Sequence, residues 1–190
     1  MPKVTLKFIA QTLGISTSTV SKALKNYPDV NSETRIKVQK LAESLHYVPN
    51  SIAQSLRSKE TKIIGLLVPD LVHHFFSSII KGVIIEAAKH GYLVIVLESF
   101  ELYKREIKQL QLLVDKNIDG ILLSISDSTV GYDHINEIIK SGMPVVLFDK
   151  VSQLIDCSKV IIDDRKAAFT ATEYLIKTGC KNIAHITGPL

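Results

Sequence analysis

The sequence predicts a small all-α head of helix-turn-helix type followed by a mostly parallel, doubly wound α/β body. Three observations predict it. Basic side chains concentrate in the first third of the chain. The first fifty residues repeat apolar side chains at helical spacing. From residue 63 onward, short apolar runs alternate with helical patterns, the signature of strand–helix repeats around a parallel sheet.

Size and composition allow this. The chain has 190 residues, 46% hydrophobic and 22% charged. That suffices to bury a core in one or two domains and excludes disordered, collagenous and low-complexity classes. No apolar run approaches the roughly 20 residues that span a bilayer, so no transmembrane helix is expected. Met1-Pro2-Lys3-Val4-Thr5-Leu6-Lys7 carries no apolar stretch and no small-residue cleavage site, so no secretory signal is expected either. The two cysteines, Cys157 and Cys180, lack metal-ligand spacing. Neither a disulfide framework nor a metal site is expected, and a reducing cytoplasm is the default location.

The charge is uneven. Residues 1–62 hold ten basic and four acidic side chains, whereas residues 63–190 hold 13 basic and 15 acidic. A basic module on a near-neutral body suits a polyanion. A solvated charged surface has the same balance, and only the local pattern can decide.

In the head, Leu6, Ile9, Ala10 and Leu13 recur at helical spacing, and Thr5 can cap the helix they form. Gly14 interrupts the pattern, and Ile15 can plug the core between two helices. Ser16 is a good cap for a second helix with Val20, Ala23 and Leu24 on its apolar face. Two short helices joined by a tight turn containing glycine make a helix-turn-helix. A third helix fits Ser32 to Leu45, with Ile36, Val38, Leu41, Ala42 and Leu45 directed inward and Pro28 and Asp29 in the loop before it. The second helix starts Thr17-Ser18-Thr19, followed by Ser21 and Lys22. Short hydroxyls let a helix sit close to a DNA backbone, and a lysine one turn on reaches a guanine edge. Capping explains any one of these residues. Four hydroxyls within six positions of a basic second helix favour DNA.

Tyr47-Val48-Pro49-Asn50 should end the third helix, because a residue before proline resists helical geometry. Residues 50–58 could then add two helical turns capped by Asn50, with Ile52, Ala53 and Leu56 on one small face. So short a helix is marginal alone and needs a partner to order it. Leu56 is either an apolar wedge for a minor-groove base step or an ordinary linker residue resting on the body.

The body reads as strands Ile63–Val68, Leu93–Leu97, Gly120–Ser124, Val145–Phe148, Val160–Asp163 and Ile183–Thr187. Helices near 75–90, 103–116, 135–139 and 166–177 fall between them. The helix near 103–116 should turn Ile107, Leu110, Leu113 and Val114 inward. Doubly wound sheets bind ligands beyond the carboxyl ends of their strands. The candidates there are Asp70 to Phe76, Ser124 to Asp127, Asp149 and Asp163. Phe75 and Phe76 could stack on a sugar or base, and Asp149 could accept from ligand donors. Core packing of one phenylalanine and helix capping by the aspartates fit equally well.

Enzyme motifs are missing. No G-x-G-x-x-G follows the first strand, and neither a phosphate loop nor a G-x-S-x-G elbow occurs. His73-His74 are adjacent rather than four apart, and Asp163-Asp164 diverge at a strand end.

These residues together resemble the LacI/GalR family of bacterial repressors. Val4-Thr5-Leu6, Ile9-Ala10, Leu13 to Ser16, Ser18 to Leu24, Val30 to Arg35, Tyr47 to Asn50 and Ala53 to Arg57 carry the likeness. It continues through Ile64 to Asp70 and, more loosely, to the last residue. The resemblance implies base contacts from Thr17, Ser18 and Lys22, and phosphate contacts from Thr5, Ser16, Thr19, Ser21, Asn26, Thr34 and Tyr47. It implies that Asn50, Ala53 and Leu56 belong to a hinge helix in the minor groove, and that Phe75, Phe76, Ser124 and Asp149 face an effector cleft. Lys22 stands where the family often has arginine, so a point donor replaces a planar fork. The expected organisation is a DNA-binding head at 1–49 and a hinge at 50–61. A first lobe of periplasmic-binding-protein-like fold follows at 62–163, and an incomplete second lobe at 164–190 with little to pack against. The expected function is a homodimeric, cytoplasmic, sequence-specific regulator of a palindromic double-stranded operator, controlled by a sugar or related metabolite. No enzyme activity, cofactor or membrane partner is implied. The alternative is a cytoplasmic sugar-binding domain without DNA readout.

Overall fold

A computed structural model describes residues 4–48 and 60–186, which fall into two compact units, Met1–Ser58 and Lys59–Leu190.

The first unit is three helices: α1 (Leu6–Leu13), α2 (Thr17–Leu24) and α3 (Ser32–Ser44). Thr5 caps α1 by accepting from the Phe8 amide at 3.2 Å, and Ser16 caps α2 by accepting from the Thr19 amide at 3.1 Å. The turn between them depends on Gly14, whose φ of 63° is the left-handed conformation that only glycine enters freely. Ile9, Val20 and Val38, one from each helix, are fully buried and meet at the centre. The expected α3 is present, with two differences. Ile36 is half exposed. It lies two residues from the buried Val38, about 200° around a helix, so it cannot share that face. The helix also stops at Ser44, one residue short of the expected Leu45 and ahead of the Tyr47-Val48-Pro49 stretch expected to end it. His46 turns left-handed at φ 47°, and the Tyr47 amide bonds back to the Ala42 carbonyl at 2.8 Å. Arg35 ties the preceding loop by donating to the carbonyls of Tyr27 at 2.8 Å and Val30 at 2.9 Å.

The second unit is a five-stranded, all-parallel sheet in the order β2-β1-β3-β4-β5. The strands are β1 (Ile63–Val68), β2 (Leu93–Glu98), β3 (Gly120–Leu123), β4 (Val145–Phe148) and β5 (Ser158–Val160). The helices are α4 (His74–Lys89), α5 (Tyr103–Asp115), α6 (Asp133–Lys140) and α7 (Asp164–Lys177). Side chains alternate across the pleat. Leu67, Ile121, Leu123 and Leu147 pack with Leu110 and Leu113 of α5 and Ile135 of α6. Leu66, Val68, Leu122 and Phe148 pack with Phe76, Ile79, Ile80 and Val83 of α4. β1 lies between β2 and β3 and is buried from Gly65 onward.

Three expectations for the body need correction. Ile107 is partly exposed, and Glu106, one residue earlier, is fully buried instead. The fifth strand covers Ser158–Val160 rather than Val160–Asp163, because pairing with Val146–Phe148 of β4 ends at Val160. Residues 183–186 form no strand, and Thr187 lies outside the described residues. α7 has no buried residue, so nothing described shields Phe169, Tyr174 or Ile176.

At Gly65, β1 faces Leu113 of α5 and the nearby Ile118 with no room for a side chain. An added Cβ would lie 2.7 Å from a Leu113 methyl and 2.8 Å from an Ile118 methyl, and both side chains are buried. Gly65→Ala should therefore overpack the core and lower the unfolding free energy by about 1–3 kcal/mol, measured by urea denaturation. An unchanged midpoint would show that Leu113 and Ile118 have room to move.

Candidate nucleic-acid face and ligand cleft

The two groups of candidate residues occupy different units and are built differently. In the head, Ser18 and Lys22 are exposed on the side of α2 opposite the buried Val20, and Thr17 is exposed at the flank of that side. Ser16, Ser18 and Thr19 form a hydroxyl cluster, with Ser16 Oγ 2.7 Å from Ser18 Oγ and 2.8 Å from Thr19 Oγ1. Each of these hydroxyls can accept and donate, so the cluster can redirect a hydrogen to a phosphate oxygen. Thr5 and Asn26 are exposed, and Ser21, Thr34 and Tyr47 are partly covered. Asn26 sits left-handed at φ 57° just past α2, with its side-chain oxygen Oδ1 accepting from Gln39 Nε2 at 2.8 Å. Tyr47 packs against the head core, and burial raises its phenol pKa. Lys22 is ion-paired with Asp29, whose carboxyl that bond holds below its ordinary pKa. The base-reading candidate thus has an exposed internal partner that a nucleic acid could displace. Asn50, Ala53 and Leu56 lie outside the described residues.

At the carboxyl ends of the strands, Ser124 Oγ lies 3.4 Å from Asp149 Oδ2. Asp149 follows β4 with φ 56°, a left-handed conformation that a non-glycine residue keeps only where its surroundings impose it. Partial burial pushes its pKa up, with Lys150 and Ser124 opposing the rise. Phe75 is partly exposed at the start of α4 and meets Phe76 edge-on, ring centroids 5.2 Å apart. Phe76 itself is buried beside Phe148 and Leu66. The two adjacent phenylalanines therefore part: Phe75 presents a ring surface, and Phe76 is core. Asp70 accepts from the Val72 amide at 2.6 Å and the His73 amide at 3.0 Å and shapes the loop into α4. Asp163 caps α7 by accepting from the Lys166 amide at 2.8 Å.

Two groups beside the cleft gave no sequence signal. Lys150 bridges Glu101 at 2.5 Å and Asp127 at 2.7 Å, joining the loops after β2, β3 and β4. Burial would lower the Lys150 pKa, but the two carboxylates outweigh it and raise it. Glu106 is a fully buried carboxylate on α5 that ties the loop after β3. It accepts from the Ser126 amide at 2.7 Å and the Thr129 hydroxyl at 3.0 Å, and lies 2.9 Å from His134 Nε2. Burial alone would raise its pKa, yet these bonds prevail and lower it. Buried Ser99 and Ser126 add a hydroxyl contact of 2.7 Å. Among the described residues no group of three or more His, Cys, Asp or Glu side chains could hold a metal ion, and no helix is long and apolar enough to cross a membrane.

A helix-turn-helix unit and a parallel α/β unit with polar side chains gathered at its strand ends together narrow the class of protein. Comparison with known proteins resolves the class. Residues 5–50 match the profile of bacterial regulatory proteins of the lacI family. Residues 61–189 match that of periplasmic binding proteins and the sugar-binding domain of the LacI family. The chain belongs to the LacI family. It is 34% identical over 187 residues to catabolite control protein A of Priestia megaterium, covering 98% of this chain and 56% of that protein. It is 35% identical over 185 residues to the transcriptional repressor CytR of Escherichia coli K12, covering 97% and 54%. The chain thus spans about half the length of these curated relatives. In fold it is similar to the Lac repressor dimer bound to operator and the anti-inducer ONPF, with a TM-score of 0.78 at 23% identity, covering 93% of this chain and 53% of that one. It is also similar to the transcriptional regulator CelR in complex with cellobiose, with a TM-score of 0.55 at 24% identity, covering 98% and 56%.

Removing the Glu106 carboxylate would strand the Ser126 amide, Thr129 and His134 in a buried site. Glu106→Ala should cost about 3–5 kcal/mol in urea unfolding. Because the folded-state pKa is lowered, this carboxylate stabilises the fold above the ordinary glutamate range, and the contribution fades as pH falls through the lowered value. Unfolding followed against pH should therefore show a shallower acid decline in Glu106→Gln than in the parent. Equal slopes would mean that Glu106 does not carry it.

Proposed function

We propose that this chain is a sequence-specific, DNA-binding transcriptional repressor that acts as a dimer and answers to a small-molecule effector. The observation that carries the reading is α2. Its hydroxyl and cationic side chains Ser18, Ser21 and Lys22 gather on the side away from the buried Val20 and Ala23, with Thr17 at the edge, in a head whose family consists of regulatory proteins. A helix of this kind places short donors near phosphates and a lysine at a base edge. Thr5, Ser16, Thr19, Asn26, Thr34 and Tyr47 serve as backbone contacts. Asn50, Ala53 and Leu56 form the hinge that enters the minor groove. The organisation is a head at 1–49, a hinge at 50–61, a first lobe at 62–163 and the opening of a second from 164.

The relatives support the reading: CytR and PurR are named as transcriptional repressors, and the Lac repressor similar in fold is a dimer on its operator. A dimer would present two heads to two half-sites of a palindrome. The effector is a sugar or related metabolite held at Phe75, Ser124 and Asp149, where an aromatic ring can stack on an apolar sugar face and a carboxylate can accept from hydroxyls. The protein works in the cytoplasm.

Selection from a random duplex pool, with affinity then followed against salt, tests this. A two-half-site palindrome is expected. A steep salt dependence with no enriched sequence would leave only phosphate binding. No DNA binding at all would favour a sugar-binding domain without DNA readout. Within the enriched site, Lys22→Ala should relax preference at one base position per half-site by about tenfold or more. Asp29→Asn, which frees Lys22, should strengthen binding and steepen its salt dependence. Unchanged base preference in Lys22→Ala would remove this residue from the readout.

A further inference from the structure

Asp119 lies between α5 and β3, 58 residues from the chain segment it holds. One carboxylate oxygen accepts from the Thr61 amide at 2.7 Å and the Thr61 hydroxyl at 2.8 Å, and the other accepts from the Lys62 amide at 2.9 Å. Lys62 is left-handed at φ 58°, a conformation that costs a non-glycine residue free energy and persists only where its surroundings impose it. The rest of the corner is equally tied. The Lys62 carbonyl takes the Leu93 amide at 2.8 Å, the Asp119 amide goes to the Ile63 carbonyl at 2.7 Å, and Lys62 Nζ pairs with Glu60 at 2.7 Å and lies over the Tyr92 ring at 4.5 Å. Residues 60–62 are the first described residues of the second unit, directly after the segment leading from the head. Their backbone is held by Asp119 and by β2 where the described part of the second unit begins.

We infer that Asp119 is a positioning residue for DNA recognition: by clasping Thr61 and Lys62 it fixes the exit of the segment leading to the head. This rests on the proposed reading of the chain as a DNA-binding regulator. Two heads that must land on half-sites at a set spacing need a fixed exit. A head gripping phosphates at random does not. Asp119 touches no nucleic acid itself. It acts through the backbone of residues 61 and 62.

The test uses the 190-residue chain and its Asp119→Ala, Asp119→Asn and Thr61→Val variants in two measurements. The first is the rate of tryptic cleavage after Lys62 under native conditions, which follows the population of the opened corner. Asp119→Ala should be cut about tenfold faster, as expected for lost hydrogen bonds to a charged group, with Asp119→Asn and Thr61→Val between it and the parent. The second is affinity for the duplex enriched by the parent chain and for a random duplex of equal length. Asp119→Ala should lose about tenfold on the enriched duplex and less than twofold on the random one. A merely structural role would lower both together, and equal losses would overturn the inference. So would an unchanged cleavage rate. Should Asp119→Ala fail to fold, Thr61→Val, which removes only a hydroxyl, must still show faster cleavage and a smaller selective loss. No change in either would overturn the inference. Failure of the parent to enrich any sequence would count against the proposed function, while the cleavage comparison would still decide whether Asp119 holds the corner.

Discussion

The second unit is organised around one constraint: β1 is hydrogen-bonded on both edges and buried on both faces. A strand in that position cannot shift by one residue without exchanging the sets that face α4 and α5. Leu67 packs toward α5 and α6, whereas Leu66 and Val68 pack toward α4. Gly65 permits the close approach of Leu113 and Ile118, because any side chain there would occupy the space of their methyl groups. With β1 pinned, the carboxyl ends of its neighbours are pinned too. The Ser124 amide bonds to the Leu67 carbonyl at 3.1 Å, and the Ser99 amide bonds to the Val68 carbonyl at 2.9 Å. The loops that carry the candidate ligand groups are thus extensions of the ladder.

Polar groups at the two ends of this sheet do different work. At the carboxyl end, Glu106 satisfies buried donors of the loop after β3, and Lys150 neutralises carboxylates from two other loops. Asp149 has a raised pKa, feels the nearby Lys150 charge, and is engaged by Ser124 only at 3.4 Å. A carboxylate held by rigid neighbours and lightly engaged itself is suited to accept from a ligand. At the amino end, Asp119 engages both carboxylate oxygens with backbone and hydroxyl donors of its own chain. Where the first carboxylate has capacity to spare, the second holds a corner closed.

Much of this was legible in the sequence, and what was not has separate physical causes. Caps and turns depend on a few neighbouring residues, so Thr5, Gly14 and Ser16 announced the helix-turn-helix directly. Long apolar runs announced β1 and β4. Ile36 is out of helical phase with Val38, whereas Ile107 is in phase with Leu110 and Val114 and is exposed because the packed face centres on Glu106, Leu110 and Leu113. Glu106 was invisible because a glutamate on an amphipathic helix reads as solvent-facing until the donors that surround it are known. Phe75 and Phe76 could not be told apart, since adjacent residues at a helix start diverge by an angle that only the packed sheet can orient.

By itself the sequence determined the order of elements, the basic head, the outward hydroxyl face of α2 and the membership of the lacI family. All of these depend on local spacing or on residues that stand together in the chain. Tertiary structure alone decided the partners of Glu106, Lys150 and Asp119, which meet groups 20 to 58 residues away. It also decided the end of β5 and the split between Phe75 and Phe76. A charged side chain recruits whichever donors the fold brings within about 3 Å, and the chain's linear order holds no record of that distance.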